Sequence, residues 1–163
     1  MRERVIKISA RLLSDSFPAL QEKKIFIIVT WFRFFALSLW IPPWIRFILI
    51  STRTKNFPDT ALTGLIAHEL SHQERYLEMG TLRYLLFAIC FIFSRKVQAD
   101  EEKATDRLTI EKGYGRYLYE VSRLSQADSK HRKINDNYLT PEEIRSYSEE
   151  LGKWDNIQGF QSS

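Results

Sequence analysis

Hydrophobic positions change their spacing along the chain, and each spacing predicts a different element. Residues 3–14 repeat apolar side chains at helical intervals with basic side chains opposite, which predicts an amphipathic helix. Residues 25–50 are instead rich in β-branched and aromatic side chains. We expect two or three strands in that stretch, with a turn near Pro42 and Pro43.

Two apolar stretches raise the question of a membrane. Arg33 and Arg46 interrupt residues 25–50, and the proline pair between them would break a spanning helix, so strands are favoured. The second stretch, residues 84–93, is about half as long as a spanning helix requires. It predicts a core helix or one packed between helices, and a segment that touches a membrane surface or a partner is the alternative.

Helical patterns cover most of the remaining chain. A polar connection over residues 51–60 leads into a helix expected at 60–79, with Asp59 or Thr60 as its N-cap and Gly80 as its end. The later predictions are a helix from 98 that ends at Gly113 and Gly115, a helix over 116–124, a loop over 125–137, a helix opened by Thr140-Pro141-Glu142-Glu143, and a loose tail over 154–163.

Composition narrows the class of protein. The chain has 163 residues, of which 44% are hydrophobic, which is enough for one compact domain or one domain with a tail. A net charge of +4 is too small to indicate a nucleic-acid partner. Cys90 is the only cysteine, so no disulfide framework is expected, and its apolar neighbours predict a small buried side chain. Because residues 1–16 lack the pattern of an export signal, we expect a cytoplasmic protein, with a membrane surface as an optional contact.

Residues 64–72, Gly-Leu-Ile-Ala-His-Glu-Leu-Ser-His, carry the clearest chemical signal. On a helix His68 and His72 lie one turn apart on the same face, so both imidazoles can bind one metal ion, most commonly Zn²⁺. Glu69 lies about 100° further round the helix and can reach a water on that ion as a general base. A structural histidine pair on an ordinary helix is the alternative.

The spacing after the second histidine restricts the class of zinc site. A catalytic zinc ion needs three protein ligands and one open position. A metzincin would place Gly and His at the third and sixth following positions, where this chain has Arg75 and Glu78, so that class is excluded. His131, the remaining histidine, falls in a polar stretch that favours a solvated surface side chain.

An acidic cluster supplies a better third ligand. Glu102 and Asp106 are four residues apart on a predicted helix and therefore share a face. One carboxylate can bind zinc while the other accepts the free N–H of an imidazole ligand. A solvated charged face that also includes Asp100 and Glu101 is the alternative.

The two motifs together resemble a gluzincin zinc peptidase. His68-Glu-Leu-Ser-His72 followed by Glu102-Lys-Ala-Thr-Asp106-Arg-Leu is similar to the catalytic core of the membrane peptidases that include the CAAX prenyl-protein protease and the bacterial heat-shock membrane protease. Those proteins carry Glu-x-(Glu/Gln)-Ala-Asp, so the alanine is displaced here. A second register would put Glu101 on the metal and Thr105 in the aspartate position. We prefer Glu102, because Thr105 could not replace a carboxylate.

The short chain looks most like the soluble minigluzincins, and the resemblance covers about residues 44–124. It implies an α+β fold in which a small mixed β-sheet lies over an active-site helix and a glutamate helix, with flanking N- and C-terminal helices. The strand expected at the edge above the cleft is 46–52, which would bind extended substrate by β-augmentation. The implied site has zinc ligands His68, His72 and Glu102, the base Glu69 and the supporting carboxylate Asp106.

The expected function is that of a zinc-dependent metalloendopeptidase, in which a metal-activated water attacks a peptide or protein substrate. The oxyanion-stabilising group stays open among Tyr114, Tyr117, Arg123 and His131. We divide the chain into a catalytic domain, 1–134, and a C-terminal helix and tail, 135–163, which either covers the cleft and keeps the enzyme latent or packs as an ordinary helix.

Two other functions compete with peptidase activity. A catalytically silent, zinc-stabilised binding or scaffold protein would need the metal but not Glu69. A DNA-linked metalloprotease is suggested by the basic pI of about 9.2. Those enzymes use a histidine as third ligand, and no basic cluster here is dense enough for nucleic acid, so we expect no nucleic-acid partner.

Overall fold

The structure, a computed structural model, describes residues 1–128 and 135–155. Its regular elements are helices α1 (Arg2–Asp15) and α2 (Pro18–Gln21), strands β1 (Ile25–Thr30), β2 (Ala36–Ile41) and β3 (Ile45–Ser51), and helices α3 (Asp59–Phe93), α4 (Arg95–Thr109), α5 (Gly115–Ala127) and α6 (Pro141–Glu150). Short 3₁₀ turns lie at Thr52–Asn56 and Asn135–Asn137. The fold is therefore mixed α/β with a small sheet, as an α+β class requires.

The predicted strands form one three-stranded sheet in the order β1-β3-β2. β1 pairs with β3 in parallel and β2 pairs with β3 antiparallel. The strand prediction for residues 25–50 is thus confirmed, but the expectation that 46–52 forms the edge strand is wrong. β3 is central because Ile48 and Ile50, both fully buried, pack against the helices while both edges of the strand are paired. The edge beside α3 is β2.

The first half of α3 lies in the core of the protein. Every residue from Ala61 to Gln73 is buried, because α1, α4, α5 and the sheet pack around α3. The main hydrophobic cluster joins α1, β3, α3 and α5 and contains Val5, Leu12, Ile48, Ile50, Leu62, Ile66, Leu70 and Tyr117. The histidine motif is therefore held by a continuous core rather than by a loop.

The start of α3 differs from the prediction. The helix begins at Asp59 and its N-cap is Pro58, not Asp59 or Thr60. The Asp59 carboxylate is engaged by the Arg4 guanidinium from α1 and so is not used to cap its own helix. An ion pair with a residue 55 positions away in the sequence could not be read from the local pattern.

Gly80 interrupts α3, as the sequence predicts, but the helix resumes immediately. Its φ of 71° and ψ of 170° are not helical, and φ in this range is accessible to glycine without a steric penalty. The chain changes direction there and continues helically to Phe93. We call residues 81–93 the distal half of α3.

The distal half of α3 is not the core helix that the sequence favours. Its inner side packs Tyr84 and Phe87 against Trp40 and Tyr76, while its outer side is exposed. Cys90 is exposed as well, so the prediction of a buried cysteine is wrong. The apolar composition of this segment predicted that it would be buried. Only the aromatic side of the helix, however, contacts the rest of the described chain.

The C-terminal half largely follows the predicted helices. α4 begins at Arg95, three residues earlier than expected, and a π-helical segment with Gly113 at φ 89° separates it from α5. The capping box of Thr140 and Glu143 at the start of α6 is confirmed. α5 continues to Ala127, into the predicted loop; residues 129–134, together with 156–163 of the predicted tail, lie outside the described residues.

The close approach of α3 and α5 gives a test of this packing. A Cβ added at Gly64 would lie 2.4 Å from the backbone carbonyl of Tyr117, which cannot move away without shifting α5. Ala is normally favoured over Gly in a helix by about 1 kcal/mol. We nevertheless expect Gly64→Ala to lower the free energy of unfolding by about 1–3 kcal/mol or more, measured by urea denaturation. A variant more stable than the wild-type chain would contradict the packing.

Candidate metal centre

The two histidines of α3 point at one carboxylate oxygen. His68 Nε2 and His72 Nε2 lie 3.2 and 3.1 Å from Glu102 Oε2, and the two imidazole rings have centroids 4.8 Å apart. Both histidines are about 95% buried. The i,i+4 spacing on α3 and the packing of α4 across it therefore bring together the three residues that the sequence nominates as metal ligands.

α4 also supplies the group behind the first histidine. His68 Nδ1 lies 2.9 Å from Asp106 Oδ1. The other oxygen of Asp106 accepts a hydrogen bond of 2.9 Å from the backbone N–H of Leu139. A carboxylate on Nδ1 orients the ring so that Nε2 faces the ligand position. Asp106 is thus placed as a supporting carboxylate, and it connects the site to the segment before α6.

Glu101 occupies a different position from Glu102. Its two oxygens accept hydrogen bonds of 2.9 and 2.8 Å from the Arg75 guanidinium. It approaches His72 only from behind, at 3.5 Å from Nδ1, where Thr105 Oγ1 also lies at 3.1 Å. Glu101 and Thr105 therefore support the second histidine, and this geometry favours Glu102 as the ligand. The role of Thr105 was missed, because a threonine in an acidic helix carries no distinguishing sequence signal.

Glu69, which the sequence predicts as a general base, lies in the same buried cluster as the histidines. It is 95% buried beside the histidines, and among the described residues its Oε2 has no hydrogen-bond partner. Burial raises the pKa of Glu69 to about 7, against the opposing effect of the two nearby imidazoles. A carboxylate with this pKa can both accept and return a proton near neutral pH.

The charges of the site favour a bound cation. Burial lowers the pKa of His72, but Glu102 and Glu101 outweigh burial and raise it to about 9. Asp106 and Glu102 likewise raise the pKa of His68 above its usual value despite burial. Burial raises the pKa of Glu102, but the two imidazoles have a larger opposite effect. The pKa of Glu102 is therefore well below its usual range.

The residues present fit a zinc ion. One donor atom from each of His68, His72 and Glu102 lies within 4.8 Å of the others, and the donors are two imidazole nitrogens and one carboxylate oxygen. This donor set is one that catalytic zinc sites use, with a fourth position left for water. In the described residues the Oε2 atom of Glu69 has no hydrogen-bond partner and so remains a free acceptor in the same buried cluster. Because metal ligands must be deprotonated, a bound cation would take the place of protons on the imidazoles.

A cavity of about 710 Å³ opens over these residues. The edge of β2, the inner side of the distal half of α3 and the segment 136–140 line it. Residues of α4 and α5 complete the lining, among them Lys103 and Val121. The cavity is therefore large enough for several residues of a peptide.

Tyr138 in this wall was missed by the sequence reasoning. Its ring lies 5.9 Å from that of His68. Burial, followed by the nearby carboxylates, raises its pKa well above the ordinary value. It follows a polar stretch with no periodicity, so only the fold brings it to the site.

The groups suggested for oxyanion stabilisation lie elsewhere. Tyr114 hydrogen-bonds Ser16, 2.6 Å away, and Tyr117 packs in the main core. Arg123 is largely exposed beside Glu120. None of these three candidates lines the cavity over the histidines, and His131 lies outside the described residues.

Comparison with protein-family models, curated proteins and solved structures finds no match to this chain. The class of protein must therefore be inferred from the geometry of the site and from the residues that form it.

The two adjacent glutamates can be separated by metal binding. Glu102→Gln removes the carboxylate on both Nε2 atoms, so we expect zinc affinity to fall by more than about 100-fold. Glu101→Gln removes a supporting contact to His72 and should cost about 10–100-fold. Competition with a chromogenic chelator measures both constants. The reverse order would place Glu101 on the metal, and equal losses would contradict the distinction between the two positions.

Proposed function

We propose that this chain is a zinc-dependent metalloendopeptidase of the gluzincin type, similar in layout to the minigluzincins. The observation that carries the proposal is the convergence of two imidazole nitrogens on Glu102 Oε2 beside the buried carboxylate of Glu69. The layout agrees with this class, since the sheet lies over α3, which carries the histidines, and α4 carries the glutamate. Zn²⁺ is the proposed cofactor, held by His68, His72 and Glu102.

Each of the chain's own groups has a role in this proposal. Bound zinc would supply Lewis acidity toward a peptide carbonyl and lower the pKa of a water molecule. Glu69 accepts the proton of the attacking water and returns it to the leaving amine, since it is the buried carboxylate beside the histidines and its Oε2 has no partner among the described residues. Asp106 holds the His68 ring from its Nδ1 side, 2.9 Å away. Thr105 and Glu101 do the same for His72.

The edge of β2 is the proposed binding site for substrate. Residues 34–39 line the cavity along the edge that does not pair with β3. The backbone carbonyl of Glu69 accepts a hydrogen bond of 3.1 Å from Ser38 on β2, which fixes the distance between this strand and the motif. An extended peptide can add to such an edge by backbone hydrogen bonds and so pass over the histidines.

Peptide hydrolysis by the Glu69→Gln variant tests the proposal. Loss of the general base should lower the cleavage rate by about 100- to 10,000-fold while zinc stays bound, because glutamine cannot take up a proton. The measurement is cleavage of casein or a quenched fluorescent peptide by the zinc-loaded protein, with metal content determined in parallel.

Glu78→Gln is the matched control for this experiment. Glu78 is an exposed glutamate on the same helix and should retain full activity. If the wild-type protein and Tyr138→Ala both bind zinc tightly but cleave nothing, or if Glu69→Gln cleaves as fast as an active wild-type protein, the chain is a zinc-stabilised binding or scaffold protein instead.

We also propose that the segment 136–140 keeps the enzyme latent by covering the site. Tyr138 lies in the cavity wall with its ring 5.9 Å from that of His68, and the Leu139 N–H donates a hydrogen bond to Asp106. Removing the whole C-terminal segment would not test this cleanly. Leu139 and Ile144 are buried with Ile110 and Leu118, so truncation would open a hydrophobic cluster.

Substitution of Tyr138 separates a covering role from a catalytic one. If the ring blocks the cleft, Tyr138→Ala should raise peptidase activity several-fold because substrate gains access, and Tyr138→Phe, which keeps the ring, should leave it low. If the hydroxyl instead stabilises the reacting oxyanion, both variants should lose activity, by about 100-fold for one donor. That second pattern in kinetics of the zinc-loaded proteins would overturn the proposal of latency.

A further inference from the structure

The outer side of the distal half of α3 is an unusually continuous apolar surface. At 100° per residue its outward positions fall on one face of the helix. Their side chains are between 47% and 84% exposed, and they are Leu82, Leu85, Leu86, Ile89, Ile92 and Phe93. Among the described residues no other element covers this face. Contiguous apolar surfaces of this kind indicate a binding site for a partner or a membrane.

The inner side of the same helix holds it in place. Tyr84 lies 4.8 Å from the Trp40 ring and 4.9 Å from the Tyr76 ring, measured between centroids, and its hydroxyl accepts a hydrogen bond of 3.1 Å from the Trp40 backbone N–H. Phe87 extends this cluster. The apolar face is therefore presented by a fixed helix, and little ordering would be required when it binds.

The length of the distal half of α3 determines how this segment can bind a bilayer. α3 is the one described helix that is long and apolar enough to cross a membrane by length and composition. Its first half, however, is buried in the protein core, and Gly80 separates the two halves. The remaining residues, 81–93, extend about 20 Å, which is shorter than the ~30 Å hydrocarbon layer. This half of the helix can lie in the interface but cannot span.

The charges around this face select its partner. Between Glu78 and Asp100 the sequence contains Arg83, Arg95 and Lys96 and no acidic residue. All three basic side chains are exposed, and Lys96 has an exposed pairing with Asp100. Apolar side chains flanked by basic ones match a bilayer that carries anionic headgroups.

A second patch continues this surface at the start of the distal half. A groove beside Gly80 and Thr81 is lined by Lys23, Lys24 and Trp44. The Trp44 side chain is 75% exposed. Tryptophan and lysine at the rim of an apolar surface are typical of the headgroup region of a membrane.

We propose that the distal half of α3 docks this protein on the surface of a bilayer containing anionic lipid, with its apolar face in the interface and Lys23, Lys24, Arg83 and Arg95 at the headgroups. The proposal does not depend on peptidase activity. Because the opposite side of the same helix lines the cavity, docking would place the cavity beside the membrane surface.

Flotation with lipid vesicles tests the docking. The full chain is mixed with vesicles of phosphatidylcholine alone or with 30% phosphatidylglycerol, and we expect binding to the anionic vesicles. Leu86→Glu should lower the partition coefficient at least about tenfold, because a charge is then forced into the apolar contact. Ile6→Glu is the matched control, since Ile6 is also an exposed aliphatic residue on a helix, at 48%, and should bind as wild type.

Two further measurements complete the test. Arg83→Gln with Arg95→Gln should reduce the preference for anionic vesicles several-fold. A polarity-sensitive fluorophore on Cys90, the only cysteine, should shift to shorter wavelength with anionic vesicles, because this residue lies on the exposed side of the helix.

Three outcomes would overturn the proposal. They are failure of the wild-type chain to float with anionic vesicles, binding of Leu86→Glu equal to wild type, and equal binding to neutral and anionic vesicles. A concentration-dependent dimer that Leu86→Glu abolishes, without vesicle binding, would assign this face to a second copy of the chain. Circular dichroism and thermal unfolding of each variant confirm that the fold is retained.

Discussion

The buried carboxylate of Glu102, held between two imidazoles, is the interaction on which the site depends. Removing one partner of a buried ion pair typically costs about 3–5 kcal/mol, because the remaining charge stays in a poorly hydrated place. The arrangement is therefore sustained only while α3 and α4 remain packed together. Further carboxylates lie behind the imidazoles rather than between them: Asp106 is near His68 and Glu101 near His72. The negative charge of the site is thus distributed over several carboxylates. A divalent cation bound between the imidazoles and Glu102 would take the place of the protons that these groups now share.

This network also explains why distant parts of the chain meet at the site. Asp106 accepts from the backbone of Leu139, so the segment before α6 is fixed relative to the first histidine. Gln73, one residue after the second histidine, bonds Ser38 of β2 and the Phe47 carbonyl of β3. Helices α4 and α3 thereby set the positions of the segment 136–140 and of the sheet edge, respectively. Peptide hydrolysis at this site would require these positions to be fixed, because attack on a bound carbonyl depends on the distance between substrate and base.

The sequence predicted those features that depend on local spacing. The helix of the histidine motif, the pairing of Glu102 with Asp106 on one face and the capping box of α6 follow from intervals of three or four residues. Strand order was not predictable, because β1 pairs with β3 across the sequence of β2. The position of Tyr138 in the cavity wall was not predictable either, because no local sequence pattern indicates which residues of a loop lie at a distant site. The burial of Cys90 was predicted wrongly for a third reason. An apolar stretch indicates that its side chains avoid water, but it does not indicate whether they contact protein or lipid.

The kink at Gly80 joins the two proposals physically. Without it, residues 81–93 would continue the axis of the buried half of α3 and leave the sheet. With it, they turn so that Tyr84 and Phe87 pack on Trp40 and Tyr76, and the same helix forms a wall of the cavity. A side chain that faces the cavity and one that faces outward are then separated only by the width of a helix, about 10 Å. A bilayer or another molecule bound to the outer face would therefore lie only about one helix width from the cavity beside the histidines.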